Sequence, residues 1–193
     1  MPPDQPVGSD DAQLVARSLK HDHEAFGQLI ERHASTIVNL AYRMVGNRAE
    51  AEDLAQEAFL TAFKALSTFR ADSKFSTWLY RIGVNKCKDW LRAKRPGKGS
   101  ADLDVDEALD RHVSETRTPE RLLSQQQVAQ ELEQAIARLP PLYREAFVLK
   151  HVEGFSYEEM QAVLGVSTDT LKMRVYKGRV QLSRELAALD PTR

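Results

Sequence analysis

Apolar residues recur at helical spacing along most of this chain, and nowhere do they alternate with the period of two that marks a strand. Asp10 or Asp11 can cap a short first helix carrying Leu14, Val15 and Leu19. From Asp22 a longer helix sets Phe26, Leu29, Ile30, His33, Ile37, Leu40, Ala41, Met44 and Val45 on one side. It stops at Gly46, because glycine is favoured just past a helix end. Asn47 with Glu50 predicts the next cap, opening a helix that turns Ala51, Leu54, Ala55, Ala58, Phe59, Ala62, Phe63 and Leu66 inward. A turn-rich loop, Ser67 to Phe75, precedes a helix from Ser76 whose apolar set is Trp78, Leu79, Ile82, Cys87, Trp90 and Leu91. Arg95-Pro96-Gly97 breaks that helix, and a polar, acidic stretch without apolar period runs to Thr118. Thr118-Pro119 restarts helix, burying Leu122, Val128, Ala129, Leu132, Ala135, Ile136 and Leu139, and Pro140-Pro141 ends it. A further helix carries Leu142, Ala146, Phe147 and Leu149 before Gly154. The pattern predicts an all-α protein of two small helical domains joined by an acidic linker.

The stretch from Ser156 to Leu186 is the most informative. Ser156 and Glu159 have the spacing of a capping box, in which each side chain satisfies a free backbone N–H at a helix start. Met160, Val163 and Leu164 then form a short apolar face. Gly165-Val166-Ser167 can turn the chain, since glycine tolerates positive φ and Ser167 can cap the helix that follows. That helix sends Leu171, Val175, Leu182 and Leu186 inward, with Gly178 among them where bulk is excluded. Its other side presents Lys172, Met173, Tyr176 and Lys177, flanked by Arg174, Arg179 and Arg184. An apolar seam opposite a cationic, hydrogen-bonding side suits a helix lying in a DNA major groove. It also suits an ordinary helical hairpin with a basic outer face, and this stretch alone does not choose.

Composition narrows the class. With 193 residues, 42% hydrophobic and 28% charged, the chain is globular rather than disordered. No apolar run approaches membrane-spanning length and the polar N-terminal residues lack a secretory signal, so a cytoplasmic protein without membrane insertion is expected. The single cysteine, Cys87, excludes an internal disulfide and a cysteine-based metal cluster. His21, His23, His33, His112 and His151 have no metal-ligand spacing, so neither metal nor cofactor is expected. The net charge of −1 is unevenly spread: +2 over Met1 to Arg95, −4 over Pro96 to Glu120, and +1 from Arg121 onward. Local basic faces therefore coexist with a neutral total, which predicts weak DNA binding by this chain alone.

Two further faces carry candidate chemistry. Glu50, Glu52, Asp53, Gln56 and Glu57 make the start of the third helix acidic. The helix dipole partly explains them as a solvated face, and a docking surface for a basic or amide-rich partner is the alternative. Phe69, Arg70, Asp72, Ser73, Lys74 and Phe75 mix aromatics and charge in one loop, and Arg81, Lys88, Arg92 and Arg95 fall along one face of the next helix. Tryptophans at helical spacing usually belong to a core. Aromatics beside a basic stripe are also what a single-strand binder uses.

Taken together, these stretches are familiar. Asp53-Leu54-Ala55-Gln56-Glu57-Ala58-Phe59 and the run Phe69 to Ile82 resemble the second domain of a bacterial sigma factor. Leu139-Pro140 through Arg144-Glu145, Gly154 to Met160 and Thr170 to Arg174 resemble its fourth domain. With nothing sizeable between them, the resemblance is to the compact extracytoplasmic-function group of sigma-70 factors, over roughly residues 10–186. It implies domain 2 over 10–95, a flexible acidic linker over 96–118 leading toward the RNA exit path, and domain 4 over 119–188. Asp53, Gln56 and Glu57 would dock on the clamp helices of core RNA polymerase. Phe69, Arg70, Asp72, Ser73, Lys74, Trp78, Arg81, Asn85, Lys88 and Arg92 would meet −10 promoter DNA, with Phe69 and Asn85 at the pocket for a flipped base. Lys150, Ser167, Thr168, Lys172, Met173, Tyr176 and Lys177 would meet −35 duplex, Ser167 and Thr168 through phosphate at a helix N-terminus. An anti-sigma partner is implied as well.

The chain departs from the family pattern at two places. Thr168-Asp169 stands where many relatives have an apolar residue followed by glycine, and Met173 stands where a small hydroxyl residue is common. Methionine donates no hydrogen bond to a base edge, and an acidic Asp169 repels phosphate unless it reads a cytosine amino group. The expected function is a promoter-specificity subunit that performs no bond chemistry. A free-standing helix-turn-helix regulator would leave the Phe69 to Arg95 segment without a task, and a sigma mimic that sequesters a regulator would need neither the −10 loop nor the recognition-helix cations.

Overall fold

The computed structural model describes residues 7–70, 73–94 and 125–189, and among them every regular element is helical. They form two helical units.

The N-terminal unit is built on its longest helix. Helix α1 is Val7–Ser18, α2 is His23–Val45, α3 is Arg48–Ala65 followed by a 3-10 turn at Leu66–Thr68, and α4 is Phe75–Ala93. Helices α1 and α3 both pack on α2, and Gly83 lets α4 approach it with the Ile37 and Leu40 side chains 3.6 Å from where a Cβ would stand. Asp22 caps α2 by accepting the Ala25 N–H at 3.0 Å, and Asn47 caps α3 by accepting that of Glu50 at 3.1 Å. Leu29, Ile37, Leu40, Met44, Leu79 and Val84 are fully buried, each contributing about 1.5–3 kcal/mol by leaving water.

Three expectations need correction in this unit. Helix α1 begins at Val7, so Asp10 and Asp11 do not cap it. Their carboxylates instead hold α1 to α2: Asp11 meets His33 Nε2 at 2.9 Å with both side chains buried, and Arg32 bonds both Asp10 and Asp11. Phe63 is not core but 43% exposed, its ring meeting His23 and Phe26 from the first turn of α2. The buried face of α4 is Phe75, Leu79, Tyr80, Val84 and Cys87, leaving Trp78, Ile82 and Trp90 half-buried.

The C-terminal unit comprises α5 (Gln125–Arg138), α6 (Pro141–Phe147), a π-helical turn at Val148–Val152, α7 (Tyr157–Leu164) and α8 (Thr168–Leu189). The expected 96–118 linker and helix start at Thr118-Pro119 lie outside the described residues. Pro141 takes the first turn of α6, where its missing N–H is not needed. Helices α5 and α6 pack against α8 around Ala135, Ile136, Leu139, Ala146, Leu171, Val175 and Leu182. Leu132 and Leu186 are exposed rather than buried. Leu186 lines an open groove with Phe147, His151 and Leu182.

Candidate nucleic-acid interface

On α3 the acidic face divides. Glu50 is drawn inward to accept the Trp90 indole N–H at 2.7 Å, and Glu52 pairs with Arg48 at 2.7 Å on its own helix. Asp53, Gln56 and Glu57 stay exposed and, at spacings of three and four, share one side. Glu57 reaches Lys86 of α4 at 3.3 Å, an exposed pair of small energetic weight. Leu60 continues the same side and is 60% exposed.

The loop before α4 carries an aromatic cluster. The Phe69 ring lies 5.3 Å from Trp78 and 5.9 Å from Phe75, and Phe75 lies 5.7 Å from Trp78. Behind it the buried His33 ring stands 5.6 Å from Phe75. Phe69 and Trp78 are only half-buried, so the cluster keeps an open side. Arg70, Ser73 and Lys74 are exposed around it, while Asp72 lies outside the described residues. Trp78, Arg81, Asn85, Lys88 and Arg92 recur at helical spacing and form one face of α4. Asn85 sits about 10 Å along the axis from Trp78, at roughly 1.5 Å per residue. Arg81, Asn85 and Arg92 are exposed and Lys88 is half-buried. Aromatic rings therefore meet a cationic face that holds one amide.

In the C-terminal unit, α7, a three-residue turn and α8 make a helix-turn-helix. The Ser156–Glu159 capping box forms in both directions, with the Ser156 N–H donating at 2.9 Å and the Glu159 N–H at 3.1 Å. Gly165 closes α7 at φ 70°, a conformation that other residues adopt only under strain. Ser167 Oγ accepts the Thr170 N–H at 3.3 Å and pairs with the Thr170 hydroxyl at 2.9 Å, and Thr168 is half-buried beside it. Lys172, Met173 and Tyr176 project outward, Met173 and Tyr176 being 56% and 64% exposed. Lys177 lies 5.7 Å over the Tyr143 ring. Lys172 pairs with Asp169 at 3.1 Å, an exposed pair of small energetic weight, and the helix dipole favours the acidic residue in the first turn. Lys150 leaves the π turn to donate to the Phe155 carbonyl at 3.0 Å and lies 4.8 Å over the Tyr157 ring.

Sequence reasoning missed several interior charges. Arg174, read as a flanking cation, donates to Glu145 at 3.1 Å, and Glu145 is 1% exposed. A signal was available: Leu142, Glu145, Ala146 and Leu149 fall on one helical stripe. The exposed His151 imidazole lies 4.9 Å from the Phe147 ring at a tilt of 46°, and partial desolvation, followed by the charges of Arg179 and Lys150, lowers its pKa from the ordinary 6.5. Burial pushes the Cys87 thiol up to about 12, which leaves it unreactive. Among the described residues, no group of three or more histidines, cysteines and carboxylates could hold a metal ion, and no helix is long and apolar enough to cross a membrane.

The fold and these faces define a class: two helical units, one with an aromatic and cationic surface, the other with a helix-turn-helix. Residues 29–96 match the family model Sigma-70 region 2, and residues 129–182 match Sigma-70, region 4. The chain is 34% identical to the RNA polymerase sigma-H factor of Pseudomonas aeruginosa, over 93% of this chain and 95% of that one. It is 36% identical to the ECF RNA polymerase sigma factor SigW of Bacillus subtilis, over 91% and 96% respectively. Among solved structures, CnrH in complex with the cytosolic domain of CnrY superposes with a TM-score of 0.68 at 28% identity, covering 93% of this chain and 99% of that one. The sigma factor RpoE of Bartonella quintana, in complex with the anti-sigma factor NepR, gives 0.62 at 25% identity, covering 83% and 96%. The chain belongs to the extracytoplasmic-function sigma factors of the sigma-70 family, and is a transcription initiation factor that directs RNA polymerase to promoters.

Proposed function

We propose that the exposed Asp53, Gln56 and Glu57 of α3 dock this protein on core RNA polymerase, that the Phe69–Trp78 surface with Asn85 receives an unstacked base of the −10 element, and that α8 reads the −35 duplex. The observation that carries this reading is the open ring cluster continuous with the cationic face of α4. Flipping a base costs a few kcal/mol, and stacking on an aromatic side chain returns about 1–3 kcal/mol. Arg81, Lys88 and Arg92 track the strand's phosphates while Asn85 bonds a base edge. Lys172, Met173 and Tyr176 face the −35 major groove. Ser167 and Thr168 meet a phosphate at the start of α8, and Lys150 and Lys177 approach the backbone. The protein acts in the cytoplasm and catalyses no bond change. RpoE was solved with the anti-sigma factor NepR and CnrH with the cytosolic domain of CnrY, which supports an anti-sigma partner here.

Run-off transcription with core polymerase on a promoter library tests the reading. Start sites sharing −10 and −35 elements are the expected result. Tight polymerase binding without initiation would favour a mimic, and strong duplex binding without polymerase would favour a free-standing regulator.

A further inference from the structure

The Arg144-Glu145 pair takes no part in the contacts proposed above, yet both charged side chains are buried. Arg144 turns back toward α5. Its Nε and Nη2 donate to the Leu139 carbonyl at 3.2 and 2.8 Å, and Nη2 also bonds the Ala137 carbonyl. Such carbonyls at a helix end have no intrahelical donor, so the guanidinium closes α5 against the start of α6. Glu145 points the other way and accepts from Arg174 Nη1 of α8 at 3.1 Å, the two side chains being 1% and 14% exposed. Taking such charges out of water is costly unless the geometry is well matched, so this pair favours one placement of α8 on α6. A second contact lies one turn along: a Cβ at Gly178 would stand 3.2 Å from the Tyr143 carbonyl oxygen, so the two backbones approach closely there. Rotating α8 by one residue, about 100°, would remove Arg174 from Glu145 and drive a side chain into Tyr143.

We propose that Glu145 and Arg174 are positioning residues that fix the rotation of α8, and so decide that Lys172, Met173 and Tyr176 are the side chains presented to base edges. The proposal rests on the reading of α8 as the −35 reader. It predicts that breaking the pair degrades −35 selectivity independently of its effect on stability.

The test uses the full chain with core polymerase and run-off transcription from two libraries, one randomised at the −35 element and one at the −10 element. Arg174→Met removes the cation that faces the buried Glu145 carboxylate and lowers the thermal midpoint. Glu145→Gln combined with Arg174→Met removes both charges and recovers much of that midpoint. In both variants, discrimination among −35 sequences is expected to fall about tenfold, while −10 discrimination stays at the wild-type level. Arg174→Lys, which keeps the charge, is expected to retain more −35 discrimination than Arg174→Met. Recovery of full −35 discrimination along with the midpoint in the double variant would overturn the proposal, because the pair would then supply stability alone. Parallel loss at both elements would overturn it too, as a general loss of fold. A wild-type protein indifferent to the −35 library overturns the reading of α8 itself, and the proposal with it.

Discussion

Phe69→Ala is the sharpest test of the opening surface. The substitution removes two things. Within the unit it deletes ring contacts to Trp78 at 5.3 Å and Phe75 at 5.9 Å, each worth about 0.5–1.5 kcal/mol beyond area burial. At the proposed interface it deletes the face on which one base would stack, worth about 1–3 kcal/mol. Only the second loss is felt when a base leaves the duplex, so the open-complex equilibrium is expected to fall by about 5- to 150-fold. Polymerase affinity is expected to stay unchanged, because Asp53, Gln56 and Glu57 lie on α3 rather than in the loop. The assay follows the fluorescence of 2-aminopurine placed in the −10 element, with polymerase binding measured separately by competition. Phe69→Leu separates the two losses, since it keeps apolar volume without a ring face; stability returns and opening does not. Full opening by folded Phe69→Ala, or complete rescue by Phe69→Leu, would refute stacking at this position.

Three other outcomes are expected. Asp53→Arg places a cation on the exposed face of α3 and should lower core polymerase affinity about tenfold or more in a binding titration, leaving the promoter preferences of the residual complex intact. Gly178→Val puts bulk against the Tyr143 carbonyl, where even a Cβ would sit at 3.2 Å, and should cost about 1–3 kcal/mol in denaturant unfolding. His151 titrates below its ordinary 6.5 in the folded chain, first through partial desolvation and then through Arg179 and Lys150. The unfolded chain therefore binds that proton more readily, so its contribution to stability is full above 6.5 and is lost as pH falls through the folded value. His151→Asn should flatten that part of the stability profile, as read from urea midpoints measured on either side of 6.5.

Local signals in the sequence were reliable wherever a single residue decides the backbone. Asp22, Asn47 and Ser156 cap as their spacing implies, and Gly46 and Gly165 adopt left-handed φ at the helix ends. Helical periodicity placed most of the core as well, because a stripe of leucines and alanines has only one way to leave water. It failed at Phe63, Leu132 and Leu186, each of which continues an apolar stripe past the surface that would cover it. Periodicity reports the side on which a residue lies, and the length of the partner helix decides whether anything reaches it.

Charged residues were the harder case, because their partners lie far along the chain. Asp11 and His33 are 22 residues apart, and Glu145 and Arg174 are 29 apart, so no local window shows that either pair is interior. The opposite error attaches to Asp169. Alone at the start of a DNA-facing helix it reads as a repulsive charge, but Lys172 stands three residues on and holds it at 3.1 Å. Past the first turn of α8, Met173 and Tyr176 project outward beside Lys172. Under the −35 role proposed for α8, Met173 offers no donor, so its discrimination would fall to apolar contact, for which the thymine methyl is the available partner in the major groove. Under that role the Met173 departure moves one position of α8 from hydrogen bonding to apolar contact, while Lys172 and the Tyr176 hydroxyl keep charge and hydrogen bonding available beside it.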